Sequence, residues 1–205
     1  MPGSRPPVVI FDLGGVLIEW DPRHLYRRLF NGDAVAMEDF LENVCTAEWN
    51  RQQDAGRPFV EAEAEAVARH PDKVEFIRAW ASHFHEMIPG AISGTVEILE
   101  ELRQRDVPLY ALTNWSAETF ATQSARFEFL AWFDGIVVSG QEKLIKPDPR
   151  IFRLLMERYG IDPEHAVFID DVSTNVAAAE ALGIHGIHFT GPDELRRELS
   201  RLSLL

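Results

Sequence analysis

Five short apolar segments alternate with helical patterns along this chain, and no other feature constrains the fold as strongly. The segments are residues 8–11, 107–112, 136–138, 166–169 and, more weakly, 184–189. All are shorter than the roughly 10–12 residues typical of a helix, and β-branched side chains are frequent in them, so strands are predicted. Continuous apolar strands that alternate with helices are typical of a parallel sheet covered on both faces. The prediction is a doubly wound α/β fold.

Residues 20–86 interrupt this alternation. They contain no segment that reads as a strand, and four stretches have helical patterns: Asp21–Phe30, Ala34–Asn43, Phe59–Arg69 and Lys73–Phe84. We therefore predict a small all-helical insertion over residues 20–86 and an α/β core formed by residues 1–19 and 87–205. Hinges are expected where the chain enters and leaves the insertion, near Glu19–Asp21 and Glu86–Gly90.

Composition narrows the possible partners. The net charge is −13 at pH 7, so the surface repels nucleic-acid phosphates and anionic membranes. Cys45 is the only cysteine, which excludes an intrachain disulfide and fits a reducing cytoplasm. No apolar run approaches the roughly 20 residues of a membrane span, and we expect no signal peptide. A cytoplasmic monomer or homodimer without nucleic-acid or membrane partners is expected.

Polar residues follow the ends of the predicted strands. Ligands of open α/β sheets bind outside the carboxyl ends of the strands, so side chains at these positions are expected to converge. Any one of them alone reads more simply as a turn residue, a helix cap or a surface lysine. Their occurrence at equivalent strand ends of one sheet favours a common site. The residues concerned are Asp12, Thr113, Asn114, Lys146, Asp170 and Asp171.

These strand-end residues resemble four motifs of the haloacid dehalogenase superfamily of hydrolases. The matching segments are Phe11–Leu17, Leu112–Asn114, Lys146–Pro149 and Phe168–Asp171, with Asn175 following the last. They occur in the family's order and span residues 8–190. The insertion is similar to the small helical cap of many family members. The resemblance implies a Rossmann-like core with a cap, and a hydrolase.

The resemblance implies a phosphatase that acts on a small phosphate ester. Asp12 is then the nucleophile, which attacks phosphorus in line and forms an aspartyl-phosphate that water hydrolyses. Thr113 and the backbone N–H of Asn114 hold the phosphoryl oxygens. Lys146 neutralises charge on both the nucleophile and the phosphate.

The resemblance also implies a Mg²⁺ ion, which relieves the repulsion between a carboxylate and a phosphate dianion. Its ligands are expected to be Asp12, the backbone carbonyl of Gly14 and Asp171. Asp170 is expected to take part indirectly, as an outer or water-mediated partner.

Position 14 departs from the family's pattern. Most phosphatases of the family carry a second aspartate two residues after the nucleophile, where it protonates the leaving alcohol, but this chain has Gly14. Losing a general acid costs roughly 10²- to 10⁴-fold in rate, and less for a good leaving group such as a sugar anomeric oxygen. Substitutes near the hinges are conceivable, although each reads more simply as a solvated residue. They are Glu19, Asp21, His24, His83 and His85.

Side chains of the insertion are candidates for substrate selection. Trp49 is a candidate for lining the pocket, with Arg51 or Arg57 contacting a second anionic group. Trp115 directly follows Thr113 and Asn114, so we expect it at the border of the pocket. Packing inside the insertion is the expected role of Trp80, Phe84 and Cys45.

Two other functions stay open at this point. L-2-haloacid dehalogenases use the same nucleophile on carbon without a metal, but they resemble one another in an aromatic residue at the position of Gly14 and in lacking the paired late acids. Gly14 and the Asp170–Asp171 pair therefore favour the phosphatase. A degenerate fold could instead bind a phosphorylated ligand or a partner protein, but such a binder does not need the nucleophile Asp12.

Overall fold

The computed structural model describes residues 7–205, so residues 1–6 of the predicted core lie outside the described part. Its sheet has five parallel strands in the order β3-β2-β1-β4-β5, which confirms the predicted doubly wound, Rossmann-like α/β class. The strands are Val8–Phe11 (β1), Leu109–Thr113 (β2), Gly135–Val138 (β3), Ala166–Asp170 (β4) and His185–His188 (β5).

Strand β1 lies in the middle of the sheet. Phe11, its last residue, is in register with Ala111 of β2 and with Ile169 of β4. The residues that follow these three strands therefore emerge side by side at one edge of the sheet. The strand order reverses between β1 and β4, and such a switch point is where open α/β sheets bind their ligands.

The chain between β1 and β2 is mostly helical, and we call residues 20–86 the cap. Besides two short 3-10 turns, the cap holds five helices, one more than predicted. They are Arg23–Leu29 (α1), Ala34–Asn43 (α2), Ala47–Asp54 (α3), Phe59–Arg69 (α4) and Val74–Ser82 (α5). The unpredicted helix is α3, which begins after Thr46, whose hydroxyl accepts a hydrogen bond from the Trp49 N–H at 3.0 Å.

Aromatic packing fills the interior of the cap. The ring of Tyr26 lies 4.9 Å from that of Phe40 and 5.9 Å from that of Trp80. Trp80 and Cys45 are almost fully buried there, which confirms the packing role predicted for both. Aromatic pairs of this kind contribute about 0.5–1.5 kcal/mol each beyond the area they bury.

The two segments that join the cap to the core run side by side. The Glu19 N–H donates to the Gly90 carbonyl, and the Asp21 N–H donates to the Met87 carbonyl, each at 3.0 Å. The two predicted hinges are thus in direct contact with each other.

Within residues 7–205, six α-helices accompany the sheet, and buried apolar clusters lie on both of its faces. They are Ser93–Gln104 (α6), Ala117–Gln123 (α7), Ser139–Glu142 (α8), Pro149–Tyr159 (α9), Ser173–Glu180 (α10) and Pro192–Arg201 (α11). Gly160 ends α9 in the left-handed conformation at φ 64°, as its C-terminal position predicts. Between residues 7 and 205, no helix is both long and apolar enough to cross a membrane.

Candidate active site

Asp12 stands at the centre of the sheet edge, directly after β1. It is buried, with 7% of its surface exposed. Its backbone N–H donates to the Ile169 carbonyl at 2.8 Å, which continues the pairing with β4, and its Oδ1 accepts the Leu13 N–H at 2.7 Å. The carboxylate is therefore held in one orientation by backbone groups.

Lys146 supplies the positive charge at this edge. Its Nζ lies 2.9 Å from Asp12 Oδ2 and 2.7 Å from Asp170 Oδ2, and it donates to the Leu112 carbonyl at 2.8 Å. All three protons of the ammonium thus have an acceptor. Burial lowers the pKa of Lys146, but the two aspartates together outweigh burial and raise it. The lysine therefore stays charged although it is fully enclosed.

Asn114 fixes the loop that carries Lys146. Its side-chain Oδ1 accepts the Lys146 N–H at 2.9 Å, and its Nδ2 donates to the Lys146 carbonyl at 3.1 Å. One donor and one acceptor of the amide side chain are thus bound to this loop. The family resemblance assigned the backbone N–H of Asn114, and not this side chain, to the phosphoryl oxygens.

Three carboxylates meet beside this lysine. One oxygen each of Asp12, Asp170 and Asp171 lies within 4.8 Å of the other two. Burial raises the pKa of Asp12 against the effect of Lys146, and burial and the charge of Asp170 raise that of Asp171. One ammonium among three carboxylates leaves an excess of negative charge. An oxygen-rich, negatively charged cluster fits Mg²⁺, which prefers such ligands.

Asp170 differs from the other two carboxylates because protein donors occupy both of its oxygens. Oδ1 accepts the Val172 N–H at 2.8 Å, Oδ2 accepts Lys146, and Asn175 Nδ2 lies 3.1 Å from each. This saturation fits the indirect role expected of Asp170. Asn175 is therefore part of the site as well.

Gly15 makes room for Asp171. Its φ is +73°, in the region that glycine favours, and a Cβ atom there would lie 2.3 Å from Asp171 Oδ2. A Cβ at Gly14, in contrast, would meet nothing within 4 Å. The position at which most family phosphatases carry their acid is thus open space.

A cavity of about 220 Å³ lies over this sheet edge, between the core and the cap. Asp12, Thr113, Asn114, Trp115 and Asp171 line it from the core, so the structure brings Trp115 together with the predicted phosphate-binding residues. The cap lines it with Trp20, Asn50, Asp54 and Phe84. Phe84 is buried as predicted, but it also borders the cavity.

Trp49 does not line this cavity, contrary to the pocket-lining role predicted for it. Its ring packs inside the cap, 5.4 Å from that of Trp80 and 6.2 Å from that of Phe59, and its Nε1 points to the Ala62 carbonyl at 3.4 Å. The physical reason is the orientation of α3. Asn50, the next residue along the helix, faces the cavity instead.

The cap arginines do not reach the cavity either. Arg57 pairs with Glu65 at 2.7 Å, and Arg51 lies 3.8 Å from Glu48. The proposed contact with a second anionic group is therefore not supported. The cap residues that line the cavity include no lysine, arginine or histidine.

The substitutes considered for the missing acid also lie outside the cavity lining. Glu19 pairs with His24 at 3.0 Å, and Asp21 pairs with Arg23. The rings of the two remaining candidates stack on each other. They are His83 and His85.

Sequence reasoning missed two polar residues of the cap, Asn50 and Asp54. Both are on α3, one helical turn apart, and Asn50 Nδ2 donates to Asp54 Oδ2 at 3.0 Å. Asn50 Oδ1 is buried and has no hydrogen-bond partner in the described structure. Burial is the main cause that raises the pKa of Asp54, to about 8. The sequence feature that could have predicted helix α3 is Thr46 as its N-cap, with Glu48 in the first turn.

The chain is similar in sequence to haloacid dehalogenase-like hydrolases and to two phosphatases. The family model for haloacid dehalogenase-like hydrolases matches residues 6–183. A sesquiterpene phosphatase of Aspergillus oryzae is 26% identical over 198 residues, 94% of both chains. A phosphorylated carbohydrates phosphatase of Thermotoga maritima is 26% identical over 88% of this chain and 83% of its own length. Acyl-CoA dehydrogenase family member 10 of Mus musculus is 34% identical over 110 residues, which are 52% of this chain and only 10% of that protein.

Solved structures share the fold. A haloacid dehalogenase family enzyme of Bacteroides thetaiotaomicron, in complex with magnesium and inorganic phosphate, superimposes with a TM-score of 0.67 at 23% identity, over 91% of this chain and 96% of that one. An L-2-haloacid dehalogenase superimposes with a TM-score of 0.65 at 19% identity, over 89% and 86% of the two chains. At these identities the likeness concerns the fold alone.

Proposed function

Since the chain belongs to the haloacid dehalogenase-like hydrolase family, we propose that it is a Mg²⁺-dependent phosphomonoesterase that works through an aspartyl-phosphate at Asp12. One observation carries the proposal. Lys146 is enclosed between Asp12 and Asp170, and Asp171 adds a third carboxylate to the same group. This combination serves phosphoryl transfer, in which a bound cation and a lysine balance the charges of nucleophile and phosphate.

Each predicted residue has a role in this reaction. Asp12 attacks phosphorus, and Lys146 neutralises both the carboxylate and the incoming phosphoryl oxygens. Thr113, which is buried at the end of β2, and the backbone of Asn114 contact those oxygens. Trp115 borders the space for the leaving group.

The proposed Mg²⁺ ion would be held by Asp12, Asp171 and the backbone carbonyl of Gly14. When bound, it polarises the phosphate and screens its charge from the nucleophile. Asp170 acts indirectly, because its oxygens already accept from Lys146, Asn175 and the Val172 N–H.

The proposed substrate is a small phosphorylated metabolite, of which a sugar phosphate is the leading example. The cavity of about 220 Å³ is smaller than the roughly 300–1,000 Å³ of typical drug-sized sites, so a compact leaving group is favoured. The cap offers it an amide, a carboxyl group and aromatic rings but no cation, which disfavours a second anionic group. The similarity to a phosphorylated carbohydrates phosphatase supports the same class.

Hydrolysis of para-nitrophenyl phosphate by the purified protein, with Mg²⁺ and with EDTA, tests the proposal. We expect turnover that needs Mg²⁺ and that Asp12→Asn abolishes, whereas Asp72→Asn, a change at an exposed cap residue, leaves it unchanged. Metal-independent release of halide from a 2-haloacid would falsify the phosphatase assignment in favour of a dehalogenase. Folded protein with neither activity would point to a binding protein.

A further inference from the structure

We propose that Asp54 of the cap is the general acid and base of this reaction and takes the place of the side chain that is missing at position 14. The inference rests on the proposed phosphatase function and adds a catalytic residue to it. It is carried by the placement of Asp54, by the contacts that fix it, and by the open space at Gly14.

Helix α3 places Asp54 at the cavity that the nucleophile also lines. Asp54 and Asn50 lie one turn apart on the helix, and both line the cavity that Asp12 lines from the core. Trp49 and Gln53 lie on another side of the same helix and are buried in the cap. Among the cap residues that line the cavity, Asp54 is the only titratable one.

A buried serine ties Asp54 to the core. The hydroxyl of Ser139 donates to the backbone carbonyl of Asp54 at 2.6 Å and accepts the Trp115 N–H at 2.9 Å. Ser139 is fully enclosed, so water does not compete for these bonds. The backbone of Asp54 is therefore fixed against the segment that follows β2 and carries Asn114 and Trp115.

The turn after α3 adds two more contacts to the core. Gly56 has a φ of +99°, and a Cβ there would lie 3.2 Å from the Gly140 carbonyl, so this turn packs closely against α8. The Phe59 N–H donates to Glu118 Oε1 at 3.0 Å. These contacts hold the C-terminal end of α3 in place, as a catalytic group requires.

The surroundings of the Asp54 carboxyl group favour its protonated form. Burial raises its pKa and the charge of Asp12 raises it further, while the Ser116 N–H lowers it. No lysine, arginine or histidine of the described chain pairs with it. A carboxylate in the last turn of a helix also opposes the helix dipole. The group can therefore donate a proton near neutral pH.

The open space at Gly14 leaves room for a carboxyl group that comes from the cap. A Cβ at Gly14 would touch nothing within 4 Å, and both Gly14 and Asp54 line the cavity. A group that reaches this space can contact the oxygen between phosphorus and the leaving group. The acid thus approaches from the cap side instead of from the β1 loop.

The reaction balances with Asp54 as the only proton carrier. In the first step, an Asp12 oxygen bonds to phosphorus, the bond from phosphorus to the leaving oxygen breaks, and that oxygen takes its electron pair and the Asp54 proton. In the second step, water bonds to phosphorus and gives a proton to the Asp54 carboxylate, while the phosphorus–Asp12 bond breaks and its electron pair returns to Asp12. The products are an alcohol and inorganic phosphate.

The test compares two substrates whose leaving groups differ in their need for a proton. Para-nitrophenolate leaves without protonation, whereas the alkoxide of ethyl phosphate does not. We expect Asp54→Asn to lower kcat/KM roughly 10²- to 10⁴-fold for ethyl phosphate and less than about tenfold for para-nitrophenyl phosphate. Glu48→Gln, on an exposed side of the same helix, is the matched control and should change neither value.

Two further readouts separate a catalytic role from a structural one. Asp54→Asn should release a burst of para-nitrophenolate equal to the enzyme concentration, because the base that activates water in the second step is lost. Adding Gly14→Asp to the Asp54→Asn variant should raise kcat/KM for ethyl phosphate at least tenfold above that of Asp54→Asn alone. The added side chain enters open space, and Gly14 is not in the left-handed region, so the change is tolerated.

The outcomes keep the two proposals apart. Wild-type protein without Mg²⁺-dependent turnover overturns the proposed function and this inference with it. An active wild type combined with an equal loss on both substrates in folded Asp54→Asn overturns the inference alone. If Asp54→Asn does not fold, Asp54→Ser is measured in the same way, and the same dependence on the leaving group decides.

Discussion

The carboxylates on the two sides of the cavity differ in their charged neighbours. We call the core side, with Asp12 and Asp170, the floor, and the cap side, with Asp54, the roof. On the floor, in the core, Lys146 contacts Asp12 and Asp170 at 2.9 and 2.7 Å. On the roof, the Asp54 carboxyl group accepts hydrogen bonds from the Asn50 amide and the Ser116 N–H, and no cation of residues 7–205 pairs with it. Burial raises the pKa of both carboxyl groups, but only at Asp12 does an ammonium group oppose it, as suits a nucleophile that must ionise.

Removing the ammonium group of the floor should have the largest effect. Lys146→Met leaves buried carboxylates uncompensated, so we expect a loss of about 3–5 kcal/mol in the free energy of unfolding, together with loss of turnover. Urea unfolding in EDTA buffer measures it. Lys73→Met, at a partly exposed lysine of the cap, should change stability by less than about 0.5 kcal/mol. Equal stabilities for the two variants would contradict the buried ion pairs described for Lys146 with Asp12 and Asp170.

Trp49→Phe tests the boundary between cap interior and cavity. The change removes the indole contact with the Ala62 carbonyl and some packing against Trp80, so we expect a loss of roughly 1–2 kcal/mol in unfolding free energy. The KM for para-nitrophenyl phosphate should stay the same, since the ring does not line the cavity. An altered KM at unchanged stability would show that Trp49 lines the substrate pocket.

Asp54→Asn should change how stability depends on pH. The folded-state pKa of Asp54 is raised from 3.8 to about 8, so the folded protein binds more protons than the unfolded chain between these values. This contribution to stability therefore falls as pH rises from 4 to 8. Asp54→Asn should be more stable than wild type by roughly 1–3 kcal/mol at pH 9, with the gain vanishing near pH 4. A gain that is constant with pH would show that ionisation of Asp54 is not its cause.

Trp20→Ala should have the smallest effect on stability. Trp20 lines the cavity and is 37% exposed, so its removal should change the free energy of unfolding by less than about 0.5 kcal/mol. Loss of its ring contact should raise KM by roughly 3- to 10-fold, which corresponds to about 1 kcal/mol. An unchanged KM would show that Trp20 does not contact the substrate. Trp20→Ala should therefore change KM but not stability, whereas Trp49→Phe should change stability but not KM.

The sequence alone determined the fold and much of the floor. Alternating apolar segments and helical patterns are local properties, and they predicted the α/β class that the structure confirms. Strand ends then bring Asp12, Asn114 and Asp170 together, because parallel strands in register end at one edge. Lys146 joins them from the loop after α8, which Asn114 holds. The family resemblance, confirmed by the family model, followed from the same segments.

Only the tertiary structure decided the roof. Consecutive residues on a helix differ in direction by about 100°, so Trp49 faces the cap interior while Asn50 and Asp54 face the cavity. Which side of α3 meets the nucleophile depends on how the cap sits on the core. The bond between Ser139 and the Asp54 carbonyl, which fixes that arrangement, joins residues 85 positions apart. No local pattern in a sequence encodes a contact over that distance.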